Sequence, residues 1–135
     1  LLLSTPAISP TLLALMGFAD LVPATVQGHS RAAILCGRNG DRPTSQLYVF
    51  VPYGEPDLGR RGVRTGHYTL MIETKKEAPV HVVLHDNLAD PWQLQDVAEP
   101  QPDVVRQLVA DELLPWLART GDPWRVPDEF AAMRR

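Results

Sequence analysis

Hydrophobic positions change their spacing along the chain, and each spacing predicts a different kind of element. Near the start, Ser9-Pro10-Thr11 precedes Leu12, Leu13, Leu15 and Met16, and Gly17 follows. This predicts a two-turn helix in which Ser9 caps, Pro10 takes the first helical position and Gly17 makes the left-handed stop. So short a helix is not stable alone, so its leucine-rich surface needs a partner, and little N-terminal to it can serve. Residues 18–45 pass through Pro23, Gly28, Gly37, Gly40 and Pro43 with one apolar piece, Ala32 to Leu35, and read as a connecting region.

From Gln46 the texture becomes β-branched and aromatic. Leu47-Tyr48-Val49-Phe50-Val51, closed by Pro52 and Gly54, predicts a strand. Gly62 to Thr65, His67 to Glu73 and Val80 to Leu84 predict three more, with Lys75-Lys76-Glu77 as a polar turn. Tight connections between short strands favour antiparallel pairing over parallel strands with helical crossovers. Pro102-Asp103 then opens a helical spacing of Val105, Leu108, Val109, Leu113, Trp116 and Leu117 that ends at Gly121. Pro115 has no N–H for the carbonyl of Asp111, which predicts a kink or a break there. The fold class expected is α+β: a small antiparallel sheet of three to four strands carrying a packed C-terminal helix. Residues 122–135 read as a tail in which Trp124 and Phe130 are the large anchors.

Composition narrows the picture. The 135 residues suit a single ordinary domain, and 44% hydrophobic with 21% charged residues excludes a disordered chain. Thirteen prolines, about one residue in ten, agree with short elements and stiff connections. The net charge of −3 gives no general attraction to nucleic acid or anionic lipid. Residues 1–85 carry 8 basic and 6 acidic side chains, against 5 and 10 in residues 86–135, so the acidic excess lies in the last third. No run approaches the ~20 apolar residues of a membrane span. Leu1-Leu2-Leu3 lacks the basic segment and apolar stretch of a secretion signal, and the chain reads as one that begins inside a longer one. Cys36 is the single cysteine, so no intrachain disulfide forms, and compartment stays open.

Candidate chemistry is sparse. There is no GxSxG elbow, HExxH helix or glycine-rich phosphate loop, which argues against a self-sufficient enzyme. Arg60, Arg61 and Arg64 with His67 and Tyr68 form the densest cationic group. Such a face binds an anion bidentately, or is simply solvated with its arginine stems covering apolar surface. His81 and His85 share a strand face too far apart to chelate one metal readily, and His29 reads as a surface histidine. Asp86, Asp90 and Asp96 lack the spacing of a calcium loop, and turn formation explains them more simply. Trp92, Trp116 and Trp124 form a sugar-stacking platform or, more simply, anchor the core or an interface.

The order of segments carries a resemblance. Pro10 to Gly17 followed by Val26-Gln27-Gly28-His29-Ser30 resembles the last catalytic-domain helix of the sulfatase family and its "QG-x-S" segment. Arg61-Gly62-Val63-Arg64-Thr65-Gly66-His67-Tyr68-Thr69-Leu70-Met71 is similar to that family's "RxxRTxxYKxx" strand pair. The stretch from Leu84-His85-Asp86-Asn87-Leu88 through Ala89-Asp90-Pro91-Trp92-Gln93 to Leu94-Gln95-Asp96-Val97-Ala98 resembles "LYDLxxDPxExxNLA", and Trp116-Leu117 completes the series. Departures are Thr69 where Lys is frequent, His85 where Tyr is usual, and Trp92 and Gln93 where Gly and Glu are common. They bear on substrate contacts carried over from relatives rather than on the fold.

The resemblance implies that residues 1–45 are the end of an α/β catalytic domain of the alkaline-phosphatase type with a connecting segment. Residues 46–124 are then its C-terminal sheet-plus-helix subdomain, and residues 125–135 a tail. It implies a parent sulfuric ester hydrolase that uses a formylglycine and a divalent cation, commonly calcium. Neither maps here: Cys36 lacks the Pro and Arg of C/S-x-P-x-R, and no metal ligands or catalytic residues are expected in this chain. The missing N-terminal catalytic domain is the expected partner, a sulfate ester the substrate, and Arg64 and His67 the expected substrate-binding residues at the pocket rim. Alone, the chain is expected to be inert and to self-associate through the exposed first helix or leave residues 1–20 disordered. Two alternatives stay open: a stand-alone module binding anions or sulfated glycans through Arg60, Arg61 and Arg64, and a phosphoester hydrolase relative from the same superfamily.

Overall fold

A computed structural model describes residues 1–131. The chain divides into two compact units, Leu1–Gln46 and a second that begins at Leu47. Among the described residues, no helix is long and apolar enough to cross a membrane.

The first unit holds α1 (Thr5–Leu15), a 3-10 turn (Ala19–Leu21) and α2 (Ala32–Leu35). The helix starts a turn earlier than its apolar spacing predicts, because Pro6 fills the first-turn position and Pro10 is carried inside. Pro10 has no N–H for the Pro6 carbonyl, and Gly28 packs against that same carbonyl. A Cβ on Gly28 would stand 2.0 Å from the Pro6 oxygen, so no other residue fits without displacing backbone. The contact continues through Thr11, whose hydroxyl donates to the Ala7 carbonyl and accepts the Arg31 amide at 3.0 Å. Arg31 in turn reaches the Asp41 carboxylate at 2.8 Å. The Gln27 to Ser30 segment is therefore a brace for α1. Residues 5–15 are helical rather than disordered, and Leu12, Leu15 and Met16 are exposed.

The second unit is an antiparallel sheet in the order β1 (Ser45–Phe50), β2 (Gly59–Thr65), β3 (Tyr68–Thr74), β4 (His81–Asp86). Its inward face is set by cross-strand partners: Val63 opposite Leu70, Arg61 opposite Ile72, and Leu70 opposite Leu84. Val63, Leu70, Ile72 and Leu84 are fully buried. Onto them pack Val105, Leu108, Val109, Leu113, Leu114 and Leu117, with Trp116 half-buried at the margin. Each fully buried aliphatic side chain contributes about 1.5–3 kcal/mol of transfer free energy.

The covering helix does not break at Pro115. It runs as α3 (Pro102–Leu108), a π-helical turn (Val109–Leu113) and α4 (Leu114–Thr120). The wider turn directly precedes Leu114-Pro115, and the apolar stripe continues through it. Gly121 at φ 62° supplies the stop. Beyond it, Trp124, Val126 and Phe130, the last on α5 (Asp128–Ala131), are buried in the same core.

β2 starts three residues before the apolar pattern begins, because its second inward position is Arg61, which is 0% exposed. Its Nε and Nη2 donate to the two Asp122 oxygens at 2.8 and 3.0 Å. Nη1 donates to the carbonyls of Phe50, Leu58 and Arg60, and Nη2 also reaches Pro56. Every guanidinium N–H is used, as a buried charge requires. This corrects the anion-binding module built on Arg60, Arg61 and Arg64: Arg61 ties the β1–β2 loop to the segment after the helix and has no donor left for a partner. Arg60 faces outward, but its Nε is held by Glu73 at 2.8 Å.

Candidate functional site

The β2–β3 hairpin ends in Gly66-His67, and the Thr65 hydroxyl shapes the turn by accepting the His67 and Tyr68 amides at 3.2 and 2.8 Å. Arg64, the last outward residue before the turn, lies opposite Thr69 and donates to its hydroxyl at 3.0 Å. His67 projects from the turn with its side chain 48% exposed, stacks on Tyr68 at 3.9 Å and lies 3.3 Å from the Asp86 carboxylate. The two residues expected at the rim thus share one end of the sheet, and both are accessible.

β4 delivers the remaining residues to the same end. The Asn87 amide donates to the His67 carbonyl at 2.7 Å, and the Asn87 Oδ1 accepts the Thr69 hydroxyl at 3.0 Å. Gln93 curls back with φ 57° so that its Nε2 donates to Thr69 at 2.8 Å and to Asn87 at 2.7 Å. Arg64, Thr69, Asn87 and Gln93 form one hydrogen-bonded chain. The Asn87 Nδ2 is buried there without a partner, an unmet donor at its base.

Thr69 and Gln93 are two of the positions at which the sulfatase-like pattern is broken, and they are bonded to each other. A neutral pair stands where the resemblance expects Lys and Glu, and Arg64 has no carboxylate partner among the described residues. Its charge is available to a ligand. Sequence reasoning noted both departures but had no means of joining residues 24 apart.

The aspartates are consumed by their own backbone. Asp86 accepts the Leu88 and Ala89 amides at 2.9 and 3.1 Å, Asp90 the Gln95 amide at 2.8 Å, and Asp96 the Leu84 and Ala98 amides at 3.0 and 2.9 Å. The bonds from Ala89 and Leu88, with His67 alongside, hold the Asp86 carboxyl below its ordinary value of 3.8. On β3, hydrogen bonds from Arg60 and Lys75 likewise lower the Glu73 carboxyl. His81 lies across the strand from Glu73, and the His85 Nδ1 meets the Gln95 carbonyl at 2.7 Å. Among the described residues, no group of three or more His, Cys, Asp or Glu is arranged to hold a metal ion. Cys36 is exposed on the first unit, and Gly37-Arg38-Asn39 follow it. Cys36 is therefore not set in the C/S-x-P-x-R pattern that a formylglycine requires.

No protein-family model matches the chain. Over 138 residues it is 34% identical to an endo-4-O-sulfatase of Bacteroides thetaiotaomicron, a match that covers 92% of this chain and 27% of that protein. A solved 4S-sulf structure from work on glycosaminoglycan metabolism by Bacteroides thetaiotaomicron superposes with a TM-score of 0.75 at 33% identity, covering 92% and 28%. A Bacteroides fragilis structure assigned to the sulfatases superposes with a TM-score of 0.68 at 31% identity, covering 93% and 26%. The chain therefore spans little more than a quarter of the length of these relatives. By the order of its segments, its fold and its similarity, the chain matches the C-terminal part of sulfatase-family proteins.

Proposed function

We propose that this chain is the C-terminal portion of a sulfuric ester hydrolase, that it supports a catalytic domain supplied by further sequence, and that it is inert alone. The observation that carries the reading is the partial match: nearly the whole chain aligns, at 34% identity, with about a quarter of a sulfatase. The divalent cation and formylglycine that the sulfatase resemblance implies are assigned, in this reading, to that further sequence. What this chain offers instead is binding. Arg64 presents guanidinium donors of the kind that bind a sulfate, and His67 adds a second polar group at the same end of the sheet. A sulfated glycosaminoglycan is the substrate class in this reading, taken from the 4S-sulf structure and the glycosaminoglycan metabolism it was solved in connection with.

Hydrolysis of 4-nitrophenyl sulfate tests the inert reading. The 135-residue chain is expected to release no nitrophenol above the uncatalysed rate, with or without calcium. Turnover that tracks with the purified chain would show that it carries a nucleophile of its own.

A further inference from the structure

The three tryptophans have three environments. Trp124 is buried in the core, its indole N–H bonded to Thr74, and Trp116 is half-buried against the helix, with Arg119 stacked over it. Trp92 is 83% exposed. It stands on a loop whose backbone is fixed at many points: Asp86 holds Leu88 and Ala89, the Gln93 amide donates to the Asp90 carbonyl at 3.0 Å, and Asp90 holds Gln95. The next residue, Gln93, is locked by its side chain onto Thr69 and Asn87. A large apolar ring is thus held in water on a stiff support, one residue from the network that ends in Arg64.

The geometry points to Trp92 as a stacking platform for a pyranose ring of the sulfated glycan whose sulfate faces Arg64, an extension that rests on the rim role proposed above. A pyranose presents a face of C–H groups with partial positive charge, matched to the negative face of an indole, and hydroxyl or sulfate groups around its edge. The loop's carboxylates face their own amides, so they add little repulsion. Leu88 and Leu94, on the same loop, are exposed as well. An anionic ligand with one apolar face is the chemistry that suits both a guanidinium bonded only to the neutral Thr69 hydroxyl and the exposed indole. Because the loop is already ordered, little conformational entropy is lost when the sugar docks.

The test titrates the full chain with a 4-O-sulfated glycosaminoglycan tetrasaccharide, its desulfated counterpart and sodium sulfate, following the indole N–H resonances by NMR. The Trp92 signal is assigned by its loss in Trp92→Phe. Expected results are a shift of that resonance with both tetrasaccharides, and about a tenfold weaker Kd for both in Trp92→Ala. Trp92→Phe should retain most of the affinity, and sodium sulfate alone should leave the Trp92 signal in place. Arg64→Ala should weaken only the sulfated ligand. If Trp92→Ala binds the sulfated tetrasaccharide as well as the parent chain while Arg64→Ala does not, the platform is wrong and the rim stands. If sulfation and Arg64→Ala make no difference while Trp92 still governs binding, the rim role fails and with it the ligand named here. A Trp92 resonance unmoved by tens of millimolar tetrasaccharide overturns the platform outright and leaves Trp92 as a contact for another protein surface.

Discussion

Asp86 is the residue on which the loop after β4 depends most directly, since one carboxylate oxygen accepts two successive amides. Its folded-state pKa is depressed, so its contribution is complete above the ordinary carboxylate value of 3.8 and is lost as pH falls through the lower folded value. Amide shifts of Leu88 and Ala89 in the 135-residue chain, followed from neutral pH into acid, are expected to titrate with a midpoint below 3.8. In Asp86→Asn the same amides should be flat across that range, because the amide oxygen still accepts but cannot lose a charge. An ordinary midpoint in the parent chain would show that the two bonds do not favour the ionised form. The role of Asp86, Asp90 and Asp96 as turn formers was legible in sequence, since such bonds are made to residues close in the chain. The network at the hairpin end was not: Arg64 to Thr69 spans five residues, but Thr69 to Gln93 spans 24 and needs the curl at Gln93.

Among elements, β2 and the covering helix depart furthest from the apolar pattern, and both departures come from polar or proline residues placed inside. Arg61 interrupts the hydrophobic alternation of β2, so the apolar pattern starts the strand at Gly62, yet its side chain points inward and is matched by Asp122 across 61 residues. Replacing Asp122 with Ala leaves a buried guanidinium without its counter-charge, and the expected loss is about 3–5 kcal/mol. Urea unfolding followed by the fluorescence of buried Trp124 reads this, and a midpoint unchanged from the parent would show the ion pair to be dispensable. Asp122→Asn should fall between the two, keeping an oxygen acceptor without the charge. In the helix, Pro115 was expected to kink or break the run; the run does not break, and a π turn at Val109–Leu113 lies just before the proline. Packing decides that outcome: a break would take Leu114 and Leu117 off the core, at a cost greater than widening one turn.

Over the whole molecule, the first unit carries an apolar surface that its own contacts leave uncovered: Ile8, Leu12, Leu15 and Met16 are each between 45% and 66% exposed. Sedimentation velocity is expected to show concentration-dependent association of the isolated chain, and Leu12→Glu combined with Met16→Glu should abolish it with helix content unchanged. A parent chain that stays monomeric at every concentration would refute this use of the surface. The fold class, the strand-rich middle, the C-terminal helix and the family resemblance were all legible in residue order, because spacing of apolar residues and local turn chemistry are properties of neighbouring positions. Arg64 and His67, which the structure brings to one end of the sheet, could be named in sequence as candidates, but the chain of Thr69, Asn87 and Gln93 bonded to Arg64 could not. Nor could the burial of Arg61, the π turn before Pro115, or the separate fates of Trp92, Trp116 and Trp124. Each of these rests on which distant segments meet, and composition alone gives a buried arginine and a solvated one, or a core tryptophan and an exposed one, the same letter.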